Sequence, residues 1–174
     1  MGLPTLRPDF IVRTVFDINI DALRERGINV IAFDIENTLG LIGCDTLDDE
    51  TEGFLIGLHQ SGLRICFATN SGRDFSSMIK PFHGKVVQPK NGLRKKPHPD
   101  FFRRILEVMD SKPEETAMVG DKLEYDTSPA NSLGMTTVLV TPLGKDLFLE
   151  LVVGRRRRER RKMRRLGISR PTRL

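Results

Sequence analysis

Along this chain, apolar runs hydrophobic at successive positions, not alternate ones, each stop at a polar residue. Residues 28–33 (INVIAF) stop at Asp34, and residues 63–68 (LRICFA) stop at Thr69–Asn70. Residues 116–119 stop at Gly120–Asp121, and 135–140 stop at Thr141–Pro142; residues 85–88 are a shorter version. Runs apolar on both faces are what a buried parallel sheet requires. Between them fall stretches of helical spacing. Residues 21–26 end at Gly27, and residues 48–60 carry Phe54, Leu55 and Leu58. Residues 74–82 end near Pro81, and residues 128–133 precede Gly134. Pro99–Met109 is the clearest, with Phe102, Ile105, Leu106 and Met109 in one stripe and Pro99 suited to the first turn. Alternating strand and helix predicts an α/β fold: a doubly wound, mostly parallel sheet with helices on both faces. Residues 40–45 and 88–97 read as exposed loops. The first twenty residues contain FIVRTVFDINI without a clean period, and leave open an edge strand or a helix packed on the sheet.

Ligands of such a sheet bind at the carboxyl ends of the strands. The polar residues there are Asp34, Glu36, Thr69, Asn70, Asp121 and Asp126. Two carboxyl groups two residues apart at a strand end suit phosphoryl chemistry. One can attack phosphorus and form an aspartyl-phosphate. The other can protonate the leaving oxygen and then activate water. Both steps need the phosphate charge offset, which Mg²⁺ and a lysine can do. Thr69 offers a hydroxyl at a second strand end, with Asn70 and Ser71 as neighbours competing for the same role. Lys96, beside Lys95 in KKP, precedes a helix. Asp121 and Asp126 add hard oxygen ligands. The alternative for Asp126 is to cap the next helix, and Glu124 is an alternative second acid on the metal side.

The ordered motifs DIENT, FATN, KKP and VGDKLEYD resemble those of the haloacid dehalogenase superfamily of phosphatases, over roughly residues 28–142. The stretch LRPDFIVRTVFDINIDALRERGINVIAFDIENTL further resembles the YqeG-type group of small bacterial phosphatases and its relative, the mitochondrial phosphatidylglycerophosphate phosphatase. The resemblance implies Asp34 as nucleophile and metal ligand. It implies Glu36 as acid/base, with its backbone carbonyl on the metal, and Thr69 and Lys96 on the phosphate. Asp121 would ligate Mg²⁺, and Asp126 would support it. The usual residue at position 36 is Asp. Glu sets the carboxylate one methylene further out, about 1.5 Å. Glu36→Gln is therefore expected to abolish turnover while Asp34 still binds Mg²⁺.

Thr69 follows Thr38 by 31 positions, and Lys96 follows Asn70 by 26. Each interval is filled by about one helix and one strand, which predicts no cap domain. An open site favours a phosphate on something large. The resemblance points to a lipid headgroup, with phosphatidylglycerophosphate as the substrate; a nucleotide, sugar or nucleic-acid phosphate is the alternative.

Charge changes the picture only at the end of the chain. The net charge is +5 over 174 residues. Residues 155–174 hold eleven Lys and Arg against Glu159 alone, so the remaining 154 residues carry a net −5. An acidic phosphatase domain over 1–154 is thus followed by a basic tail over 155–174, disordered or helical. Such a tail suits an anionic membrane surface or, without sequence choice, nucleic acid. Residues 147–149 and 151–153 are apolar and could form an interfacial helix face. Two cysteines rule out a disulfide framework and a four-thiolate zinc site. No apolar run approaches the ~20 residues of a membrane span. With Pro4, Arg7, Pro8 and Asp9 near the start, the expected location is cytoplasmic, possible peripheral attachment to the membrane included. Cys66 reads as core, Cys44 as a loop thiol, and His59, His83 and His98 are too scattered for a metal cluster.

Overall fold

Alternate residues of the second strand, β2 (Val30–Phe33), face opposite sides of the sheet, and every one is buried. Ile31 and Phe33 join one core with Ile65, Phe67, Val119 and Val138. Val30 and Ala32 join another with Cys66, Ala68 and Met118. This is the physical content of the uninterrupted apolar runs: a strand with protein on both faces has no polar side. The computed structural model describes residues 7–144 and 155–169.

The other strands are β1 (Phe10–Val12), β3 (Arg64–Ala68), β4 (Lys85–Val87), β5 (Thr116–Gly120) and β6 (Thr136–Val140). All pair in parallel, in the order β1-β6-β5-β2-β3-β4. The undecided N-terminal stretch thus forms an edge strand on β6, then a short 3₁₀ turn at Val15–Asp17. The helices are α1 (Ile20–Glu25), α2 (Asp49–Gln60), α3 (Ser76–Ile79), α4 (Pro99–Met109), α5 (Ser128–Asn131) and α6 (Arg155–Arg165).

Leu23 of α1, Leu55 and Leu58 of α2 and Met78 of α3 cover one face. Phe101, Phe102, Ile105 and Met109 of α4 cover the other. Each such side chain contributes roughly 1.5–3 kcal/mol. The expected helix over 74–82 is broken: α3 gives way to a 3₁₀ turn at Lys80–Phe82 containing Pro81, whose ring is incompatible with an α-helix interior. The helix expected from 128 is preceded by a π-helical turn, Leu123–Thr127, that sequence periodicity does not reveal. The expected loop over 88–97 is not uniformly exposed, since Gln88 and Lys96 are buried.

Among the described residues, the connections at the carboxyl ends of the strands hold loops and single short helices, with no inserted domain. The apolar segment over 147–153 lies outside the described residues. No described helix is long and apolar enough to cross a membrane.

Candidate active site

The chain runs from β2 outward through β3 to β4, then returns to build β5 and β6 on the opposite side of β2. Strand order therefore reverses between β2 and β5, where the loops diverge and a crevice must open. Register decides what meets there. Phe33 is level with Val119 and Phe67, so Asp34 leaves the sheet beside Gly120–Asp121 and Ala68–Thr69. The Asp34 N–H donates to Val119 O at 2.9 Å, which holds it at that level.

Lys96 reaches this point from the loop before α4. Its Nζ donates to Asp34 Oδ1 at 2.6 Å, to Asp126 Oδ1 at 2.6 Å and to Ala68 O at 2.9 Å, using all three ammonium protons. Only 4% of Lys96 is exposed. Of the two lysines in KKP, Lys96 is the buried one, and Lys95 lines the cleft above. The Asn70 side chain holds the Lys96 backbone at both ends, its Nδ2 donating to Lys96 O at 2.9 Å and its Oδ1 accepting from Lys96 N at 2.7 Å.

Asp34, Asp121 and Asp126 are all buried, and one carboxylate oxygen from each lies within 4.8 Å of the others. Three buried carboxyl groups so close together concentrate negative charge in a desolvated space. Hard oxygen donors in that number fit a hard divalent cation, which would offset the charge. Burial pushes the Asp34 carboxyl up, to about 7; Lys96 pulls it back, and Asp126 and Asp121 add to the rise. Burial alone would lower Lys96, but Asp126 and Asp34 outweigh it and hold the ammonium above its ordinary range.

The remaining residues are placed less simply. Thr69 is buried, its N–H donates to Val87 O, and its Oγ1 accepts from Ser71 N at 3.0 Å. The hydroxyl proton is the part of Thr69 left for a ligand. Glu36 lines the cleft with Asp34, Asn70, Ser71 and Lys96, but its side chain stands outside the three-carboxylate cluster. Its Oε1 lies 4.0 Å from Arg73 Nη1. Asp126 does not cap α5 with its side chain. Its second oxygen accepts from Lys122 N at 3.0 Å. Glu124 pairs with Lys162 at 3.0 Å, away from the cluster. His98 caps α4. Three contributors were not singled out from sequence. Thr38 donates to Asp34 Oδ2 at 3.3 Å, Gly120 makes room for Asp126, and Arg73 ties Glu36 to Asp45. Thr38 and Gly120 lie inside the motifs and were legible as neighbours; nothing local marks Arg73. The cleft above these groups holds about 530 Å³.

A curated relative in Bacillus subtilis (strain 168), "Probable phosphatase YqeG", is 26% identical over 136 residues, covering 78% of this chain and 77% of that one. The glyceraldehyde 3-phosphate phosphatase of Methanocaldococcus jannaschii is 42% identical over 62 residues, 36% of this chain and only 27% of that enzyme. Among solved structures, a magnesium complex of a haloacid dehalogenase family enzyme from Bacteroides thetaiotaomicron superposes with TM-score 0.56 at 12% identity, covering 72% of this chain and 98% of that one. Fold, charged cluster and relatives define the class: a phosphatase. The family model of the haloacid dehalogenase-like hydrolases matches residues 7–134, and the chain belongs to that family.

Proposed function

We propose that the chain is a Mg²⁺-dependent phosphomonoester hydrolase working through an aspartyl-phosphate on Asp34. The observation that carries this reading is the Asp34 carboxylate at the end of the central strand. It shares a buried lysine with Asp126 and stands within ligand distance of Asp121. Asp34, Asp121 and Asp126 would hold the ion, with the Glu36 backbone carbonyl. When bound, it supplies positive charge to the phosphate oxygens.

An Asp34 oxygen forms a bond to phosphorus as the bond from phosphorus to the leaving alcohol breaks. The alcohol oxygen takes the proton of the Glu36 carboxyl group. Glu36, now a carboxylate, takes a proton from water, whose oxygen attacks phosphorus and breaks the bond to Asp34. The products are alcohol and inorganic phosphate, with Asp34 and Glu36 restored. Lys96 orients Asp34 and steadies the charge that develops on the phosphoryl oxygens. Thr69 and Asn70 complete the phosphate site.

The substrate reading is a phosphate on a large carrier, with phosphatidylglycerophosphate the first choice. An uncapped cleft supports it, as does α6, whose Arg157, Arg158, Arg160, Arg161, Arg164 and Arg165 are exposed. Each basic residue near an anionic surface is worth about 1 kcal/mol, which suits attachment to anionic lipid. The test is phosphate release from phosphatidylglycerophosphate in mixed micelles, a nucleotide, a sugar phosphate and a 3′-phosphorylated oligonucleotide, with Mg²⁺ or chelator. Lipid is expected to be preferred, chelator to stop release, and Asp34→Asn to abolish it. Equal release by Asp34→Asn would refute the nucleophile. Preference for the oligonucleotide would replace the lipid by nucleic acid.

A further inference from the structure

Glu159 is the single acid among residues 155–174, set among ten arginines. A carboxylate so placed has guanidinium partners within one turn on either side. It also points inward: Glu159 is 7% exposed, while Arg157, Arg158, Arg160 and Arg161 are exposed. Its Oε1 accepts from the Leu123 N–H at 2.6 Å. Leu123 opens the π-helical turn, so the buried carboxylate fixes the N–H at which that turn begins.

Two further contacts engage the same end of the turn. Met163, one turn beyond Glu159 on the same face, packs with Leu123, Leu139 and Ile168. Lys162 Nζ donates to Glu124 Oε1 at 3.0 Å. The other end of the turn carries Asp126, whose oxygens accept from Lys96 Nζ and Lys122 N and whose N–H donates to Lys122 O at 2.9 Å. One short, tightly bonded turn thus connects the arginine-rich helix to the carboxylate that holds Lys96 against Asp34.

We infer that Glu159 is a positioning residue for the active site: by fixing the Leu123 N–H it sets the turn that presents Asp126 to Lys96 and the metal cluster. The basic segment is then a structural part of the site, in addition to any role at a surface. The inference rests on the phosphatase reading only for its kinetic consequence.

The test uses the full chain with Glu159→Ala and Glu159→Gln. Amide hydrogen exchange over residues 120–127 reads the turn directly. Tyr125, the sole tyrosine in a chain without tryptophan, reports on it by fluorescence quenching. Loss of a hydrogen bond to a charged group predicts about 10- to 100-fold faster exchange in Glu159→Ala. The displaced carboxylate predicts a fall in kcat of about tenfold or more. KM for an aryl phosphate is expected to change less than kcat, since Lys96 acts mainly on the charge that develops on the phosphoryl oxygens in the transition state. Glu159→Gln keeps an acceptor without its charge, and intermediate values are expected. It decides the matter if the alanine variant does not fold. Unchanged exchange in both variants overturns the inference; so does faster exchange with kcat unmoved, which would make the contact merely structural. If the unaltered chain releases phosphate from no ester, the phosphatase reading falls, while exchange and Tyr125 quenching still decide the clamp.

Discussion

Gly120 shows how little room the cluster has. A Cβ built there would stand 2.6 Å from Asp126 Oδ2 and closer still to Asp126 Cγ. Any side chain would drive Asp126 off Lys96. Its backbone lies in strand β5 and needs no special φ, so the requirement is one of space. Gly120→Ala is expected to cost about 1–3 kcal/mol by overpacking and on the order of 100-fold in rate through displacement of about 1 Å. Thermal melts and steady-state kinetics on one preparation check it; activity within twofold of the unaltered chain would mean that the cluster tolerates movement. Lys96 carries the converse lesson. It is hydrogen-bonded to both Asp34 and Asp126, so the geometry of these pairs sets the orientation of both carboxylates.

Between elements, the bridge that matters joins the end of β3 to the loop before α4. Asn70 spans it with two hydrogen bonds to the Lys96 backbone, and α4 follows three residues later. Phe101, in the first turn of α4, lies with its ring centroid 5.9 Å from Lys96 Nζ. Helix, loop and strand therefore place one ammonium group together. Asn70→Ala removes both bonds of this bridge while leaving the apolar face of α4 in place. The expected result is a loss of about 1–3 kcal/mol in stability and a fall in kcat of roughly tenfold, because Lys96 is released although still present. Kinetics beside urea melts would show it, and a variant with lowered stability but full kcat would assign Asn70 to packing alone.

At the scale of the whole molecule, the site sets charge burial against the packing of two apolar cores. Asp34 has its carboxyl raised from 3.8 to about 7 by burial first. Its folded value lies above its unfolded one, so this group's contribution to stability is complete below about pH 4 and is lost as pH rises through 7. With metal removed by chelator, the melting temperature is expected to fall between pH 5 and pH 8, and Asp34→Asn to lose that part of the slope. A divalent cation binding only the folded chain should raise the melting temperature most at the alkaline end, where the Asp34 carboxyl group is ionised. A metal-free pH profile identical in the unaltered chain and Asp34→Asn would contradict the assignment.

Much of this was legible along the chain because its information is local. Strands buried on both faces must be apolar throughout, so residues 28–33 and 63–68 announced a parallel sheet. The polar residue ending each run marked the crevice, since side chains at carboxyl ends are the first to leave the two cores. Asp34, Asp121 and Asp126 were read from those ends, and Lys96 from KKP before a helix and from the motif resemblance. Other features depended on which segments meet in space, and no local pattern encodes that. The inward turn of Glu159 onto Leu123, 36 residues away, is the clearest. By composition it is one acid in a basic run; only the docking of α6, driven by Met163 and Ile168, gives its carboxylate a backbone N–H to hold. Likewise the two-ended grip of Asn70 on Lys96 and the reach of Arg73 toward Glu36 exist because the sheet brings distant loops to one edge. Sequence determined which groups stand at the strand ends, and tertiary structure decided which of them touch, because hydrogen bonds and ion pairs depend on separations through space and not along the chain.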